Sequence, residues 1–575
     1  MDFPYKLFKE YVKALINKKT FLLEENKDID LSDLKSELEL FENAIKNANN
    51  DSDEDEETEE SKKSRAEKIK KLDENKRLIL LHAYWLFYYP FGAESMGNTI
   101  NNYFKFEDNP IAIDKKYLNV EKLASSGAFT SRLHQEVIWI LGNVIKPIAD
   151  GGINSYDDFK LFFINNWKNK QAVNYCSKNL ILHILDNNDY EPIAKNDDKT
   201  SIVKAFSNLT NKIDVDEALK DIRDKLEMKG SSSFYDSQYN VYWKNDLESP
   251  SKKLEYKKAL ILYGPPGTSK TYTAIEIAKT LIVKAYLSSA SLLEESIINN
   301  CKNYIKLGED DVVFQNDEHI SYLQFHINYN YEDFVAGQTI EVNKDGKSEV
   351  KTKLGFIFDI IEKAKNNPKM PYIVILDEIN RTDISRVFGE MFTAIEKRGK
   401  DVTLTLPDPR YPEKRLCLNI PENIYFIGTM NEIDFSLERI DFALRRRFVW
   451  EYCGYNENTL KTIIKKRCNN INDKKIVNFV SSCNKLNGVV YNLLGKSYHI
   501  GHAFFAEIAN IYKELRDSEE TDKWNEAKKI LWEISIKPTL EAYCGTMNKV
   551  EMEKYLNDKN NDSFYKAFFG QGKKD

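Results

Sequence analysis

The sequence predicts an α/β module built on a parallel sheet with helices on both faces, flanked by mostly α-helical regions. Four short apolar runs, at 258–263, 321–327, 372–376 and 423–428, alternate with helical patterns. Such alternation is typical of parallel strands joined by crossover helices. A glycine-rich loop follows the first run, and elsewhere apolar residues recur at the helical spacing of three and four.

The chain is predicted to divide into six segments, with boundaries set by changes in composition and periodicity. These are an N-terminal helical segment (1–46), an acidic disordered linker (47–66), a helical domain (67–228), a second linker (229–255), the α/β module (256–452) and a final helical region (453–575). The recognition role of the helical domain stays open, because it shows no assignable motif.

Composition favours a cytoplasmic protein with substantial cores. The longest apolar run, LILLHAYWLFYY (78–89), is too short to span a bilayer and predicts a buried helix. Trp85, Trp139 and Trp167 are expected to anchor the helical core rather than to stack on a ligand. The seven cysteines form no CxxC pair, so neither a zinc site nor a disulfide framework is expected. No membrane partner is expected.

The formal net charge of −7 depends on one segment, DSDEDEETEE at 51–60, outside which acidic and basic residues nearly balance. The protein is therefore not expected to coat nucleic acid non-specifically. A small basic patch stays compatible with this balance.

A phosphate-binding loop is predicted where the strand ALILY (259–263) runs into GPPGTSKT. Strand, glycine-rich turn and helix follow one another, as phosphate binding by backbone N–H groups and a helix N-terminus requires. The predicted nucleotide-binding residues are Gly264, Pro265, Pro266, Gly267, Thr268, Ser269, Lys270 and Thr271.

Within this loop the side chains have separate expected roles. Lys270 should reach the β- and γ-phosphates, and the Thr271 hydroxyl should bind Mg²⁺. Ser269 stands where the usual motif has glycine. It is expected to have a negative φ, as in a first helical turn, with its N–H still directed at phosphate.

A second motif, YIVILDE (372–378), places an apolar strand before two carboxylates. Asp377 is expected to hold Mg²⁺ directly or through water, and Glu378 to polarise the attacking water. The following TDISRVFGEMFTAIEKR carries apolar residues at helical spacing. It predicts one helix that packs on the sheet.

A third motif follows the strand NIYFIG (423–428). Asn431 lies at the strand tip, where it is expected to orient the lytic water and sense the γ-phosphate, since an amide both donates and accepts. Further on, Arg445, Arg446 and Arg447 end a short predicted helix. The helix dipole explains one or two cations there, but three repel one another, so at least one is expected to serve a neighbouring subunit.

Together GPPGTSKT, ILDEINRTDISRVFGE, IGTMNEIDFSLERIDFALRRRF and YHIGHAFF resemble the McrB-type AAA+ NTPases, the motor subunits of modification-dependent restriction systems. The resemblance covers roughly 255–545. It implies an AAA+ module with a helical lid and a hexameric ring in which Arg446 and Arg447 act in trans. It also implies that Asn431 and Asp434 position water and couple to nucleotide state.

The resemblance also implies Mg²⁺ as cofactor, GTP or ATP as substrate, a McrC-like nuclease subunit as partner and DNA contacted through the complex. No nuclease motif is present in the chain itself. In the lid, His502 is interpreted as a structural histidine with its hydrogen bonds satisfied rather than as a nucleotide contact.

Two alternatives remain open. The first is a MoxR- or dynein-related ATPase that remodels a protein, whose phosphate site would have the same residues. The second is a switch that binds nucleotide without turnover, which the presence of Glu378 and Asn431 disfavours.

Overall fold

The structure is a computed structural model, and its helices and strands are assigned over part of the chain. The residues described are 3–23, 28–32, 34, 38–45, 59–92, 104, 117, 123–124, 132–168, 170, 173–230, 232–244, 248–288, 295–306, 317–342, 348–433, 442–468, 471–515, 520–545, 555–556 and 563–570. The chain divides into two compact units. One comprises 1–244 with 287–302, and the other comprises 245–286 with 303–575.

The first unit is helical. Its helices are Phe3–Ile16, Leu38–Ile45, Glu59–Lys70, Glu74–Tyr88, Leu133–Ile140, Lys146–Ala149, Tyr156–Trp167, Cys176–Leu185, Asn196–Ala205, Val215–Lys225 and Ser237–Trp243, with a π-helical turn at Leu141–Ile145 and 3₁₀ turns at Tyr89–Phe91 and Ser207–Leu209.

The apolar run at 78–89 lies at the centre of this unit's core, as its composition predicts. Helix Glu74–Tyr88 begins at the N-cap Asp73, whose side chain accepts from the Lys76 N–H, and every residue from Arg77 to Tyr88 is buried. Trp85 and Trp139 belong to the same core, and Trp167 packs against it. These aromatic side chains therefore have a packing role.

The predicted linkers are partly helical. Helix Glu59–Lys70 overlaps the end of the segment 47–66, which was predicted to be disordered, while 47–58 lie outside the described residues. The second predicted linker, 229–255, contains helix Ser237–Trp243 and the start of helix Pro250–Lys257. These short helices were not predicted because their sequences are rich in charged and turn-forming residues and lack apolar residues at helical spacing.

A five-stranded parallel sheet organises the second unit. The strands of the chain are β1 (Ala259–Gly264), β2 (Ile320–Gln324), β3 (Ala336–Val342), β4 (Ser348–Leu354), β5 (Tyr372–Asp377), β6 (Val402–Pro407), β7 (Arg415–Leu418), β8 (Ile424–Asn431) and β9 (Val449–Tyr452). The parallel sheet has the order β2-β5-β8-β1-β9, while β3–β4 and β6–β7 form antiparallel pairs. The four predicted apolar runs are thus β1, β2, β5 and β8, and the predicted α/β fold is confirmed.

Helices flank and follow this sheet. They are Pro250–Lys257, Lys270–Leu287, Tyr331–Phe334, Phe356–Asn366, Ile384–Phe388, Met391–Glu396, Phe442–Arg447, Glu457–Arg467, Asp473–Leu494, His502–Ala506, Ile508–Glu514, Glu520–Leu531, Lys537–Tyr543 and Phe564–Phe569, with 3₁₀ turns at Ile379–Arg381 and Lys496–Tyr498 and a π-helical turn at Trp532–Ile536. One further helix, Glu295–Lys306, has most of its residues in the first unit, whose second stretch ends at Lys302. Among the described helices, none combines the length and apolar character needed to cross a bilayer.

The single helix predicted over 382–398 is instead two, Ile384–Phe388 and Met391–Glu396. The break falls at Gly389, which has φ +49° and ψ −120°. A Cβ there would lie 2.7 Å from the Tyr331 ring, so only glycine admits this ring. The predicted apolar residues are nevertheless buried on both helices, because the break preserves the direction of the stripe.

The residues after β9 form a helical lid with its own core. Apolar side chains from Leu460 to Phe568 make one continuous buried cluster that includes Phe479, Phe505 and Trp532. The lid is therefore a packed element that can hold a loop in a defined position against the phosphate-binding residues.

Candidate functional site

The predicted phosphate loop lies between β1 and helix Lys270–Leu287, as the motif requires. Two glycines give it its shape. Gly264 has φ +149°, and a Cβ on it would lie 2.3 Å from the Cys453 carbonyl oxygen. Gly267 has φ +71°, a left-handed conformation that favours glycine. The loop backbone is thus held in a conformation that most residues cannot adopt.

Ser269 differs from its sequence-based expectation. Its φ is +58°, not negative, because it is the last loop residue before the helix begins at Lys270. The usual glycine at this position would adopt that conformation freely, whereas for serine the conformation costs roughly 1–3 kcal/mol of free energy. The Ser269 carbonyl still accepts from the Thr273 N–H at 2.9 Å, so the helix starts without a break.

Lys270 lies over the loop that precedes it. Its side chain is buried, and Nζ donates to the Pro265 carbonyl at 2.6 Å and to the Gly264 carbonyl at 3.2 Å. The ammonium group is therefore placed within the loop where the phosphates of a nucleotide would bind. Phosphate oxygens are stronger acceptors than these carbonyls for a charged donor.

Asp377, at the end of β5, accepts hydrogen bonds from the helix that follows the phosphate loop and from strands β2 and β8. Its Oδ1 accepts from the Thr271 hydroxyl at 3.0 Å and from the Thr429 hydroxyl, and its Oδ2 accepts from the Tyr322 hydroxyl at 2.5 Å. Asp377 and Thr429 are both buried. Burial and the Asp377 carboxylate raise the pKa of Tyr322, so this phenol remains a donor.

The structure brings Thr271 and Asp377 together, as a shared Mg²⁺ site requires. A hydroxyl and a carboxylate are oxygen ligands of the kind that Mg²⁺ prefers, and such sites take one or two protein ligands beside phosphates and water. No cluster of three or more His, Cys, Asp or Glu side chains suited to a metal occurs within the described residues. The donor set therefore fits a metal that binds together with a nucleotide.

Glu378 follows Asp377 in a left-handed conformation with φ +53°. Its backbone N–H donates to the Thr429 hydroxyl oxygen at 3.1 Å. Its carboxylate accepts from Gln324 Nε2 at 3.1 Å and forms an ion pair with Arg381 at 2.6 Å. The carboxylate expected to polarise water is thus oriented by the ends of β2 and β5.

Asn431 ends β8 beside the phosphate loop. It is paired in register with Gly264, and its carbonyl accepts from Asn380 Nδ2 at 2.9 Å. This position agrees with the strand-tip position predicted from sequence, whereas its role toward water stays a prediction. Asp434, expected to couple to nucleotide state, lies outside the described residues.

The three arginines occupy different environments. The Arg445 guanidinium lies 5.3 Å from the centre of the Trp450 ring. Arg446 and Arg447 both contact Glu396 Oε1, at 2.9 and 3.2 Å. The Arg446 side chain is 71 % exposed, whereas that of Arg447 is 11 % exposed.

Arg447 is further held inside its own chain. Its Nε donates to the Phe392 carbonyl at 3.0 Å, and its guanidinium lies 5.0 Å from the centre of the Phe392 ring. The cluster therefore separates into two exposed cations, Arg445 beside Trp450 and Arg446 beside Glu396, and Arg447, which packs on Met391–Glu396.

His502 is not fully satisfied, contrary to the interpretation from sequence. It is 3 % exposed, its Nε2 lies 2.9 Å from the Ser269 hydroxyl, and its Nδ1 has no hydrogen-bond partner within the described residues. Burial, with a smaller effect of the Lys270 charge, lowers the pKa of His502 to about 4. The imidazole is therefore neutral at physiological pH.

Sequence reasoning missed Thr429, Tyr322 and Gln324 as members of this site. Each lies at or near the C-terminal end of a strand adjacent to β5, and ligand sites of parallel sheets gather at that edge. The sequence signal that could have indicated such a residue is a polar side chain within an apolar strand, such as Thr429 in NIYFIGTMN. Assigning these three required the strand order, which the sequence does not give.

Comparison with known proteins identifies the domain type. Residues 313–448 match the model for the AAA domain of the dynein-related subfamily. The chain is 32 % identical over 270 residues to the "Type IV methyl-directed restriction enzyme EcoKMcrB subunit" of Escherichia coli (strain K12), which covers 45 % of this chain and 50 % of that relative.

A second relative has a related description. The chain is 27 % identical over 210 residues to the "Type II restriction enzyme BsuMI component YdiS" of Bacillus subtilis (strain 168), covering 33 % of this chain and 56 % of that protein. The matches thus span about half the length of both relatives.

Replacing Thr429 with valine tests the arrangement around Asp377. The change keeps the side-chain shape but removes a donor to the carboxylate and the acceptor of the Glu378 N–H. A hydrogen bond to a charged group contributes about 1.5–3 kcal/mol, so nucleotide turnover should fall roughly tenfold or more.

The matched control is Thr403→Val, on an exposed position of β6. Turnover is measured as phosphate release at saturating Mg²⁺, with circular dichroism to verify folding. Equal turnover in the two variants would remove Thr429 from the site.

Proposed function

We propose that the chain contains a McrB-type AAA+ module and is the nucleoside-triphosphate-hydrolysing ring motor of a restriction system, as its similarity to the restriction-enzyme relatives and to the AAA domain model supports. The observation that carries the proposal is the convergence of Lys270, Thr271, Asp377, Glu378 and Asn431 at one edge of the parallel sheet. These residues supply the donors, metal ligands and polarising carboxylate that phosphoryl transfer to water needs.

The side chains would divide the work as follows. Loop N–H groups and Lys270 hold the phosphates, and Thr271 and Asp377 hold Mg²⁺, which neutralises phosphate charge when bound. Glu378 takes up a proton from the attacking water, while Asn431 holds that water in line. Because Gln324 and Arg381 also contact Glu378, reorientation of the carboxylate toward water requires these contacts to be exchanged.

The motor is proposed to work as a ring, in which Arg446 reaches the phosphates bound by a neighbouring subunit. Its exposed guanidinium supports this role, since a trans-acting arginine must extend beyond its own chain. Arg447, which the family resemblance also suggested, has most of its surface buried against its own chain. We therefore assign Arg447 to holding the helix that presents Arg446.

Cleavage of DNA is proposed to come from a separate nuclease subunit of the McrC type, with DNA bound through the complex. Support comes from the two relatives, which are a subunit and a component of restriction enzymes. The chain itself offers no nuclease motif in its sequence.

A protein-remodelling ATPase is the second candidate. The observation that favours it is the description of the matching domain as dynein-related. The two candidates differ in what stimulates turnover. DNA together with a nuclease subunit should stimulate a restriction motor, whereas a protein substrate should stimulate a remodelling enzyme.

Side-by-side hydrolysis of GTP and ATP by the purified chain tests the function directly. We expect Mg²⁺-dependent phosphate release that disappears in Lys270→Ala, because the loop then lacks its charged donor. GTP preference and stimulation by DNA would support the restriction motor. Absence of hydrolysis of either nucleotide, with and without DNA, would contradict the proposed activity.

Glu378→Gln separates binding from chemistry. The amide retains the size of the side chain but cannot accept the proton from water, so hydrolysis should fall by about 10²-fold or more. Nucleotide binding, measured by fluorescence of a labelled analogue, should stay within about twofold because Glu378 is not assigned to the phosphates. Unchanged turnover would show that another group activates the water.

Mixing variants tests the arginine in trans. Arg446→Ala has an intact phosphate loop, and Lys270→Ala has an intact arginine, so a mixed ring should regain activity at about a quarter of its interfaces. Arg447→Ala, mixed in the same way, should not be rescued because its contacts lie within one chain. Rescue of Arg447→Ala but not of Arg446→Ala would reverse the assignment.

A further inference from the structure

A short segment of the lid, 500–504, contacts the phosphate loop at Gly267. The Ala503 N–H donates to the Gly267 carbonyl at 2.9 Å, and the Phe504 ring lies against Gly267. A Cβ on Gly267 would lie 2.6 Å from that ring. The Phe504 ring can therefore pack here only because residue 267 has no side chain.

Gly501 is pressed onto the same loop. A Cβ on it would lie 2.2 Å from the Gly267 carbonyl carbon and oxygen and 2.4 Å from the Pro266 carbonyl oxygen. Gly501 has φ −67°, so alanine would be tolerated by its backbone. Glycine is therefore required here because the lid lies so close to the loop, and not because of the backbone conformation.

The third contact is between side chains, namely Ser269 Oγ and His502 Nε2 at 2.9 Å. A glycine, the usual residue before the lysine, could not form it. The strained φ of Ser269 thus coincides with a hydrogen bond that only this side chain provides. Since the imidazole is neutral, one partner donates and the other accepts whichever tautomer is present.

The segment 500–504 is also fixed from the lid side. Ile500 donates its N–H to Asn487 Oδ1 at 2.8 Å and accepts from Asn487 Nδ2 at 3.0 Å, and both residues are buried. Phe505, next to Phe504, is part of the lid core. Movement of the lid would therefore carry this segment with it as a unit.

We propose that Gly501, His502 and Phe504 form a latch that holds the phosphate loop in its binding conformation, and that Ser269 is the latch's partner within the loop. The proposal rests on the proposed nucleotide-hydrolysing function and adds its regulation. When the lid moves away, the loop loses a carbonyl partner, an apolar cover and the hydrogen bond to Ser269. Nucleotide affinity is thereby coupled to lid position.

His502 is a positioning residue in this proposal, because it acts on phosphate binding through Ser269. Within the described residues, Nδ1 of His502 has no hydrogen-bond partner, so its ring is held by the contact of Nε2 with Ser269. Removal of that contact should therefore alter the loop without removing any residue assigned to the phosphates.

The latch is tested first by a steric change in the chain 1–575. Binding of GTP and ATP is measured by displacement of fluorescent analogues of these nucleotides. Gly501→Ala should raise the dissociation constant about fivefold or more, as expected for loss of at least one hydrogen-bonded contact. Gly488→Ala is the matched control, since it is also a lid glycine and a Cβ there meets nothing within 4 Å.

A second readout does not depend on nucleotide. Hydrogen exchange of the peptide containing 264–271 should become faster in Gly501→Ala and stay unchanged in Gly488→Ala. This readout distinguishes the two proposals: if exchange rises but neither nucleotide is hydrolysed by the unmodified chain, the latch stands and the proposed activity fails. Equal exchange in both variants would overturn the latch.

The Ser269–His502 contact is tested by a double-mutant cycle of Ser269→Gly and His502→Ala. If the two side chains act through each other, the double variant should bind nucleotide no more weakly than His502→Ala alone. His502→Gln, which places an amide near the position of Nε2, should recover part of the affinity in the Ser269 background but none in Ser269→Gly. Additive effects, or equal recovery in both backgrounds, would overturn the pairing.

Discussion

The carboxylate of Asp377 is the interaction on which the rest of the nucleotide site depends. Hydroxyl groups from the phosphate-loop helix, β2 and β8 all donate to it. These elements are far apart in the chain, but β2 and β8 both pair with β5 and the helix follows β1, so one buried carboxylate fixes their relative positions. Removing any donor leaves a buried charge less well solvated by the protein, which is costlier than losing a neutral hydrogen bond.

Two non-glycine residues of the site, Ser269 and Glu378, have left-handed backbones. Each such residue costs roughly 1–3 kcal/mol and persists only where surrounding contacts determine it. For Glu378 these contacts are the Thr429 hydroxyl and the partners of its carboxylate. For Ser269 they are the first turn of the helix and His502. The strain is thus concentrated at the residues that the proposed function places beside water and phosphate.

The sequence predicted the elements that local pattern determines. The strands β1, β5 and β8 and the loop between β1 and its helix were all found from apolar runs and motif context. Besides the predicted disorder of 59–66, where helix Glu59–Lys70 lies, three expectations were wrong for physical reasons. The φ of Ser269 is set by loop closure rather than by helix preference, the break at Gly389 leaves the apolar stripe intact, and His502 is only partly satisfied.

Other features of the site could not be predicted from the local sequence pattern. The three consecutive arginines look equivalent in the sequence, yet Arg447 packs on Phe392 while Arg446 is exposed. That difference depends on where Met391–Glu396 lies, which no local pattern contains. Likewise Thr429 becomes a partner of Asp377 only because β8 lies between β5 and β1.

The phosphate site is therefore completed by residues from both ends of the second unit. The loop at 264–271 supplies the phosphate-binding groups, and the segment 500–504 covers Gly267 and contacts Ser269. Any ligand that binds better to the covered loop must, by linkage, stabilise the lid in the position that covers it. The same contacts act in the opposite direction, since displacement of the lid alters the affinity of the loop for phosphate. The proposed ring motor would require such reciprocity, because each cycle of a motor must exchange binding energy for movement of a neighbouring element.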